Sequence, residues 1–216
     1  MIKHHPSEQL LSQYSLGELP ATLSIAVSAH LEFCACCKSK VDTIEVAQAD
    51  TAFADTTSPF DNDDFADMLS MITQSSDVDT VAQYEPEVFS YQSKELSLPR
   101  AIAAIDRSNF VQLGKLSRSR LKLDDGEMRA SLLQIAPHGE IPHHTHTGFE
   151  LTLLLDGEFS DEKGSYVPGD FIWLDARHNH QPTTAEGCLC FTVVNSALHF
   201  NKGLSKLLNP IGNLIY

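Results

Sequence analysis

Two imidazoles and a carboxylate follow one another along a short stretch of the chain at a spacing that suits metal binding. His144 and His146 are separated by one residue, and Glu150 follows at the same parity. The apolar run 151–155 behind Glu150 predicts a strand. Successive strand side chains point to opposite faces, so residues at even spacing share a face. We therefore expect these three side chains to lie on one face of a β-hairpin and to reach one metal ion.

A fourth ligand for this ion is expected further along the chain. Residues 164–170 predict a tight turn and residues 171–174 a strand, and two histidines, His178 and His180, come next. Either imidazole could complete the site. Three imidazoles and one carboxylate suit zinc, but also iron, manganese, nickel or copper, so the ligands alone do not identify the metal.

A second group of ligands lies near the N-terminus. His30, Cys34 and Cys37 are offset by four and three residues, the spacing that stacks side chains along one face of a helix. A structural zinc site normally has four ligands. The fourth is expected from His5 or His4, just before a helix that Ser7 begins and Gly17 ends. Binding would then hold the N-terminus against the second helix, which starts at Pro20.

The later of the two groups resembles the signature motifs of the cupin superfamily. The first motif is matched by Gly139, His144, His146, Glu150 and Gly157. The second is matched by the Pro-Gly-Asp sequence at 168–170 and a following histidine, although that histidine lies ten residues after Asp170.

Both groups in this order resemble the zinc anti-sigma factors of the ChrR type. The resemblance implies that the chain binds an extracytoplasmic-function (group IV) sigma factor and keeps it from core RNA polymerase until singlet oxygen or a related oxidative stress causes release. The cupin would then be the sensory domain. The implied zinc ligands of the N-terminal domain are His5, His30, Cys34 and Cys37, and those of the cupin are His144, His146, Glu150 and His180.

The predicted fold is multidomain α+β. Residues 1–85 are expected to form an all-α zinc-binding anti-sigma domain, residues 86–97 a flexible linker, and residues 98–216 an all-β, jelly-roll-like cupin barrel. Strands are predicted at 110–113, 121–123, 130–135 and 188–194, the last with Cys188 and Cys190 on one face. Packing inside the barrel is the ordinary role for these two cysteines, and a redox pair is the alternative.

Acidity is concentrated in the first 85 residues, which have a net charge of −11, against −3 for the remainder. Such a surface repels nucleic-acid phosphate, so a basic protein partner is expected. The predicted helix that follows Asp61 carries Phe65, Met68, Leu69, Met71 and Ile72. An isolated helix of this length is marginal in water, so it should dock on its own domain or on the sigma factor.

The sequence shows no signal-peptide core, and no window has the roughly eighteen apolar residues that a membrane span needs, which predicts a cytoplasmic protein. A metal-dependent cupin enzyme, such as a dioxygenase acting on a small molecule, is the alternative function. A metal or ligand sensor without a sigma partner is a third. The attached Cys/His helices favour the anti-sigma factor, because a cupin enzyme does not need them, and no catalytic residue is assigned.

Overall fold

Helices occupy the first part of the chain and strands the rest, in the order that the sequence predicts. The computed structural model describes residues 1–54, 62–75, 88–91, 94–175, 177–196 and 198–200. The helices are α1 (Glu8–Ser15), α2 (Ala21–Phe33), α3 (Ala35–Ala52), α4 (Asn62–Gln74) and α5 (Arg100–Ala103). The strands are β1 (Val88–Tyr91), β2 (Lys94–Ser97), β3 (Val111–Leu113), β4 (Leu116–Arg120), β5 (Arg129–Ile135), β6 (His144–His146), β7 (Phe149–Gly157), β8 (Phe159–Asp161), β9 (Gly164–Tyr166), β10 (Phe171–Asp175), β11 (Cys188–Val194) and β12 (Leu198–Phe200). We call α1 to α4 the helical half and the remainder the β-rich half.

The first helix has the boundaries that its capping residues predict. The Ser7 side chain accepts a hydrogen bond from the Leu10 N–H at 3.2 Å, which satisfies one of the unpaired donors of the first turn. Gly17 follows the helix with a φ of 70°, a conformation that costs glycine little. Leu11 is buried between α1 and its neighbours α2 and α3.

The helix that carries the metal-binding motif is broken, and this corrects the prediction that His30, Cys34 and Cys37 lie along one continuous helix. Cys34 has φ −120° and ψ 95°, which ends α2 and begins α3 at the next residue. Its Sγ accepts the Cys37 N–H at 3.4 Å and so caps α3. The break therefore places the two thiols at a corner between two helices.

A six-stranded antiparallel sheet in the order β10-β7-β11-β5-β4-β3 forms the centre of the β-rich half. β11 lies between β7 and β5 and is buried along nearly its whole length, as expected for a central strand with a continuous apolar sequence. The predicted strand at 188–194 is thus confirmed. The strand predicted at 121–123 is wrong, because β4 ends at Arg120 and Leu121 forms only an isolated bridge with Arg107.

The pairing of the short strands differs from the predicted arrangement in two places. β6 pairs with β12 and not with β7, so the ligands at 144–150 do not lie on one hairpin. Where a flexible linker is expected, β1 and β2 pair with each other, and Phe89 and Tyr91 are buried in the core. The described residues of that stretch therefore pack against the rest of the protein.

The two halves are in direct contact along α2. Pro20 precedes this helix and makes no side-chain cap. Instead Asp125 of the β-rich half accepts hydrogen bonds from the Thr22 N–H at 2.9 Å, the Thr22 hydroxyl at 2.7 Å and the Ala21 N–H at 3.3 Å. At the other end of α2, Glu32 accepts the Arg100 N–H at 2.8 Å. None of the described helices is long and apolar enough to cross a membrane.

Candidate metal centres

Four ligand side chains converge at the corner between α2 and α3, and we call this group the Cys/His site. It consists of His5, His30, Cys34 and Cys37, whose potential ligand atoms all lie within 4.8 Å of one another. His5 comes from the segment before α1, and its Nδ1 is 3.5 Å from Cys34 Sγ and 3.4 Å from Cys37 Sγ. The structure thus selects His5, while the ring of His4 lies against Tyr166.

The orientation of His30 is that of a metal ligand. Its Nδ1 lies 2.8 Å from the Gly169 carbonyl oxygen. A carbonyl can only accept, so Nδ1 carries the proton and Nε2 has a free lone pair. Nε2 is buried and has no hydrogen-bond partner among the described residues. Burial lowers the pKa of His30, which favours the neutral imidazole that binds metals.

The buried thiol of Cys37 needs a nearby cation to ionise. Burial, together with the neighbouring Cys34, raises the pKa of Cys37 to about 12. A divalent ion supplies the positive charge that thiolates require in such a place. Two thiolates with two imidazoles form one of the usual ligand sets of tetrahedral zinc, so the residues fit a structural zinc ion. The exposed Cys36 is not a member of the group.

His144, Glu150 and His180 form a second group in the β-rich half, which we call the His/Glu site. The Nε2 atoms of the two histidines are 3.0 Å apart. Glu150 Oε2 is 3.4 Å from His180 Nε2 and 3.9 Å from His144 Nε2. All three side chains are buried. Three ligand atoms that face one another in a buried place fit a single metal ion.

The outer nitrogens of both histidines face oxygen atoms. His144 Nδ1 lies 2.8 Å from the Pro142 carbonyl, and His180 Nδ1 lies 3.6 Å from Asp161 Oδ2. Asp161 also accepts the Tyr166 hydroxyl at 3.0 Å. Burial lowers the pKa of His180, but Glu150 and Asp161 outweigh it, so that the pKa is raised. Such partners fix the orientation of ligating histidines.

The structure separates the alternative histidines of this site. His180 bridges His144 through two backbone hydrogen bonds of 3.2 Å. His178 instead turns away to Asp175, with Nδ1 2.8 Å from Oδ1. The backbone of His146 belongs to β6, but its side chain lies outside the described residues, so its ligation stays a prediction. The sequence did not point to Asp161, which lies outside both motifs, or to the Gly169 carbonyl, because Gly169 belongs to the Pro-Gly-Asp motif only as a turn residue.

The cavity beside the His/Glu site has a volume of about 20 Å³ and is lined mostly by apolar side chains, together with Glu150, Asp161, His180 and Cys190. A space of this size holds about one water molecule. Cys188 and Cys190 are buried on β11 without a disulfide, and they pack in the core as expected.

Both halves of the molecule are similar to known proteins. Residues 100–197 match the family model described as the ChrR cupin-like domain. The anti-sigma-E factor ChrR of Cereibacter sphaeroides is 28% identical over 219 residues, covering 97% of each chain. The crystal structure of Rhodobacter sphaeroides SigE in complex with the anti-sigma ChrR matches with a TM-score of 0.67 and 25% identity, over 90% of this chain and 100% of the matched chain.

These matches cover nearly the whole chain, and so the helices as well as the strands. The β-rich half is a cupin-like domain, and the helices in front of it carry the Cys/His site. Along nearly its whole length the chain is therefore similar to the anti-sigma factor ChrR.

Proposed function

We propose that this protein is an anti-sigma factor that acts in the cytoplasm, where it binds an extracytoplasmic-function sigma factor and keeps it from core RNA polymerase. The observation that carries this proposal is the whole-length match to the anti-sigma factor ChrR and to the complex of ChrR with SigE. The protein is not an enzyme.

The helical half presents a surface suited to a protein partner. In α4 the side chains of Met68, Leu69, Met71 and Ile72 are 51%, 61%, 76% and 65% exposed. Leu69 and Ile72, at a spacing of three residues, share one face of the helix. Large apolar side chains grouped in this way mark interaction sites more often than ordinary surface. We infer that α4 inserts its apolar face into the sigma factor.

The acidic charge of the first 85 residues also favours a protein partner for the helical half. The first 85 residues have a net charge of −11, and opposite charge on a partner accelerates encounter and excludes wrong partners. A sigma factor with a basic face is therefore the expected partner, and nucleic acid is not. The acidic surface supplies steering and α4 supplies the apolar anchor.

The proposal is tested by substitutions on α4. We expect the double variant Leu69→Asp with Ile72→Asp to weaken binding of the purified sigma factor by at least about a hundredfold, because two carboxylates would enter an apolar interface. Binding is measured by titration calorimetry, and inhibition by transcription with core polymerase and the sigma factor.

The matched control places the same charges on another exposed apolar pair. Val111 and Leu113 on β3 are 72% and 59% exposed. Val111→Asp with Leu113→Asp should leave binding within about twofold of the wild type, as surface substitutions usually do. Equal binding by the α4 variant and the wild type would refute the assigned interface, and failure of the wild type to bind or inhibit would refute the function.

We further propose that the Cys/His site holds a structural zinc ion and that the His/Glu site holds a second metal ion, for which zinc is the first candidate. The ligands at the first site are the four residues described above. At the second, His146 would join His144, Glu150 and His180. Bound metal would supply folding free energy at both places, since neither group of ligands is assembled in an unfolded chain.

The cupin-like domain is then the sensory part of the molecule. Singlet oxygen and related oxidants attack imidazoles and thiols, and damage to a ligand removes bonds that order the site. A signal of this kind can release the sigma factor only by changing the balance between a binding and a non-binding state of the helical half. The direct contacts between the two halves provide a physical route by which a change at the His/Glu site shifts this balance.

A further inference from the structure

We propose that Asp170, in the β-rich half, is a positioning residue for the Cys/His site of the helical half. Together with the Gly169 carbonyl it holds two of the four ligands, His5 and His30, in place. The inference rests on the metal assignment given above and is independent of the sigma factor.

Asp170 binds the backbone of the N-terminal arm, which we define as residues 2–5. Asp170 Oδ1 accepts the Lys3 N–H at 2.7 Å and the His4 N–H at 2.9 Å. The next residue continues the contact, because the Phe171 N–H donates to the His4 carbonyl at 2.9 Å. The carboxylate is fully buried, and hydrogen bonds to a charged acceptor are the stronger kind. His5 is the residue that follows directly.

The same turn also contacts the other end of the site. Gly169 accepts a hydrogen bond from His30 Nδ1 at 2.8 Å, which directs Nε2 of that imidazole to the metal. Gly169 is closely covered: an added Cβ would lie 2.5 Å from Ile2 Cδ1 and 2.8 Å from Phe33 Cβ. The arm and the end of α2 therefore both rest on residues 167–170, and a side chain at 169 would push them apart.

His5 depends on this support more than the other ligands do. His30, Cys34 and Cys37 are buried and belong to α2, α3 or the corner between them, whereas His5 is exposed and precedes the first helix. An unsupported arm would lose conformational entropy whenever His5 binds the metal. The hydrogen bonds to Asp170 order the arm before the metal binds. The arm therefore loses its conformational entropy on folding, and metal binding costs less.

The supporting turn is also close to the His/Glu site. Tyr166, just before the turn, packs its ring against that of His4 in a tilted arrangement with centroids 5.0 Å apart, and its hydroxyl donates a hydrogen bond to Asp161 at 3.0 Å. Asp161 in turn faces His180. Downstream, β10 starts at Phe171 and places Leu174 opposite Glu150 of β7. Residues 166–171 therefore contact the ligand arm on one side and the supports of the second site on the other.

The test measures how fast the Cys/His site loses its ion in the full-length protein. With cobalt as the probe, the thiolate-to-cobalt charge-transfer absorption reports Cys34 and Cys37, since the other ligand group contains no cysteine. Excess chelator is added and the decay of this absorption is followed. We expect Asp170→Asn to release cobalt about tenfold faster or more, the usual size of effect for partners of metal ligands. The Val167 N–H now donates a hydrogen bond to Asp170 Oδ2. In the variant an amide NH₂ would stand at that position, so two donors would face each other.

A second variant removes the same contact from the arm. Lys3→Pro deletes the N–H that donates to Asp170 and leaves the β-rich half untouched. It should also accelerate release about tenfold, while Lys3→Ala keeps the N–H and should release cobalt at the wild-type rate. This pair decides the question if Asp170→Asn fails to fold.

Asp125→Ala distinguishes positioning from general destabilisation. Asp125 joins the halves at the opposite end of α2 and touches no ligand. It should lower the melting temperature without accelerating cobalt release. Release from Lys3→Pro at the wild-type rate, or release from Asp125→Ala as fast as from Asp170→Asn, would overturn the inference. A wild-type chain that takes up no cobalt would overturn the metal assignment and this inference with it.

Discussion

The ligands of the Cys/His site have unequal roles because they are unequally buried. Cys34 and Cys37 are 5% and 3% exposed, and burial opposes ionisation of Cys37. Loss of the ion would leave the Cys37 thiol protonated, with the uncoordinated imidazole of His5 beside it. The thiols therefore couple metal binding to the folding of the corner between α2 and α3.

At this scale we expect Cys34→Ala with Cys37→Ala to abolish metal binding at the Cys/His site and to reduce helicity of the helical half. Metal content is measured by elemental analysis after dialysis, and helicity by far-ultraviolet circular dichroism. Cys36→Ala, an exposed cysteine of the same segment, is the matched control and should behave like the wild type. Unchanged metal content and helicity in the double variant would contradict the assigned site.

The types and spacing of the inner ligands could be predicted from the sequence, because coordination chemistry restricts which residues can serve. His30, Cys34 and Cys37 were found in this way, and the resemblance favoured His5 over His4. The supports of these ligands could not be found. A main-chain carbonyl such as that of Gly169 leaves no signature in the sequence, and Asp161 reaches His180 only through the fold.

At the scale of elements, prediction succeeded for local patterns and failed for long-range pairing. Ser7 and Gly17 delimit α1, and the continuous apolar run of β11 marks a central strand. The pairing of β6 with β12 joins segments far apart in the chain, and alternation cannot specify a partner. The break at Cys34 was missed because the spacing of the ligands fits an unbroken helix equally well.

The start of α2 provides a prediction on pH, because its capping group comes from the other half of the molecule. Burial alone would raise the pKa of Asp125, but its hydrogen bonds with Thr22 and Ala21 outweigh burial and hold the pKa below the ordinary value of 3.8. A depressed carboxyl pKa stabilises the fold at any pH above the ordinary value. The stabilisation disappears as the pH falls through the folded-state pKa.

Asp125→Asn should therefore lower the free energy of unfolding by about 1 kcal/mol at neutral pH, the typical worth of a helix cap. The difference from the wild type should shrink below about pH 4. Denaturant titrations of both proteins at each pH measure it. Asp124→Asn, an exposed neighbour, is the control and should not change stability. A difference that persists unchanged in acid would show that the charge of Asp125 is not what caps α2.

At the scale of the whole molecule, hydrogen bonds as well as the connecting chain join the two halves. The sequence predicted a flexible linker, whereas the structure shows α2 fixed at both ends and the N-terminal arm bound at 167–170. The buried face of α2, with Thr22, Ala26, Val27 and Ala29 at 1% exposure or less, faces the protein interior. The apolar side chains of α4 are exposed, so this helix is available to bind a partner. The cupin-like domain thus contacts the helical half away from the face assigned to the sigma factor.

This arrangement separates sensing from inhibition, and His144→Ala with Glu150→Ala tests the separation. The double variant should lose the metal of the His/Glu site, because two of its buried ligands are gone. The contacts of Asp125 and Asp170 with the helical half do not involve these side chains. We therefore expect the sigma factor to stay bound in unstressed cells, while the transcriptional response to singlet oxygen is blunted.

His178→Ala is the matched control, because this histidine lies close in sequence but points to Asp175 instead of the metal ligands. It should respond like the wild type in a reporter assay driven by the sigma factor. A double variant with a normal response would place the sensor in the Cys/His site, where His5 is exposed to solvent. One that no longer inhibits would make the cupin-like domain part of the structure that holds the sigma factor. Full inhibition without a response is the result that assigns the His/Glu site to sensing alone, because loss of the metal ligands would then have left the contacts that bind the partner intact.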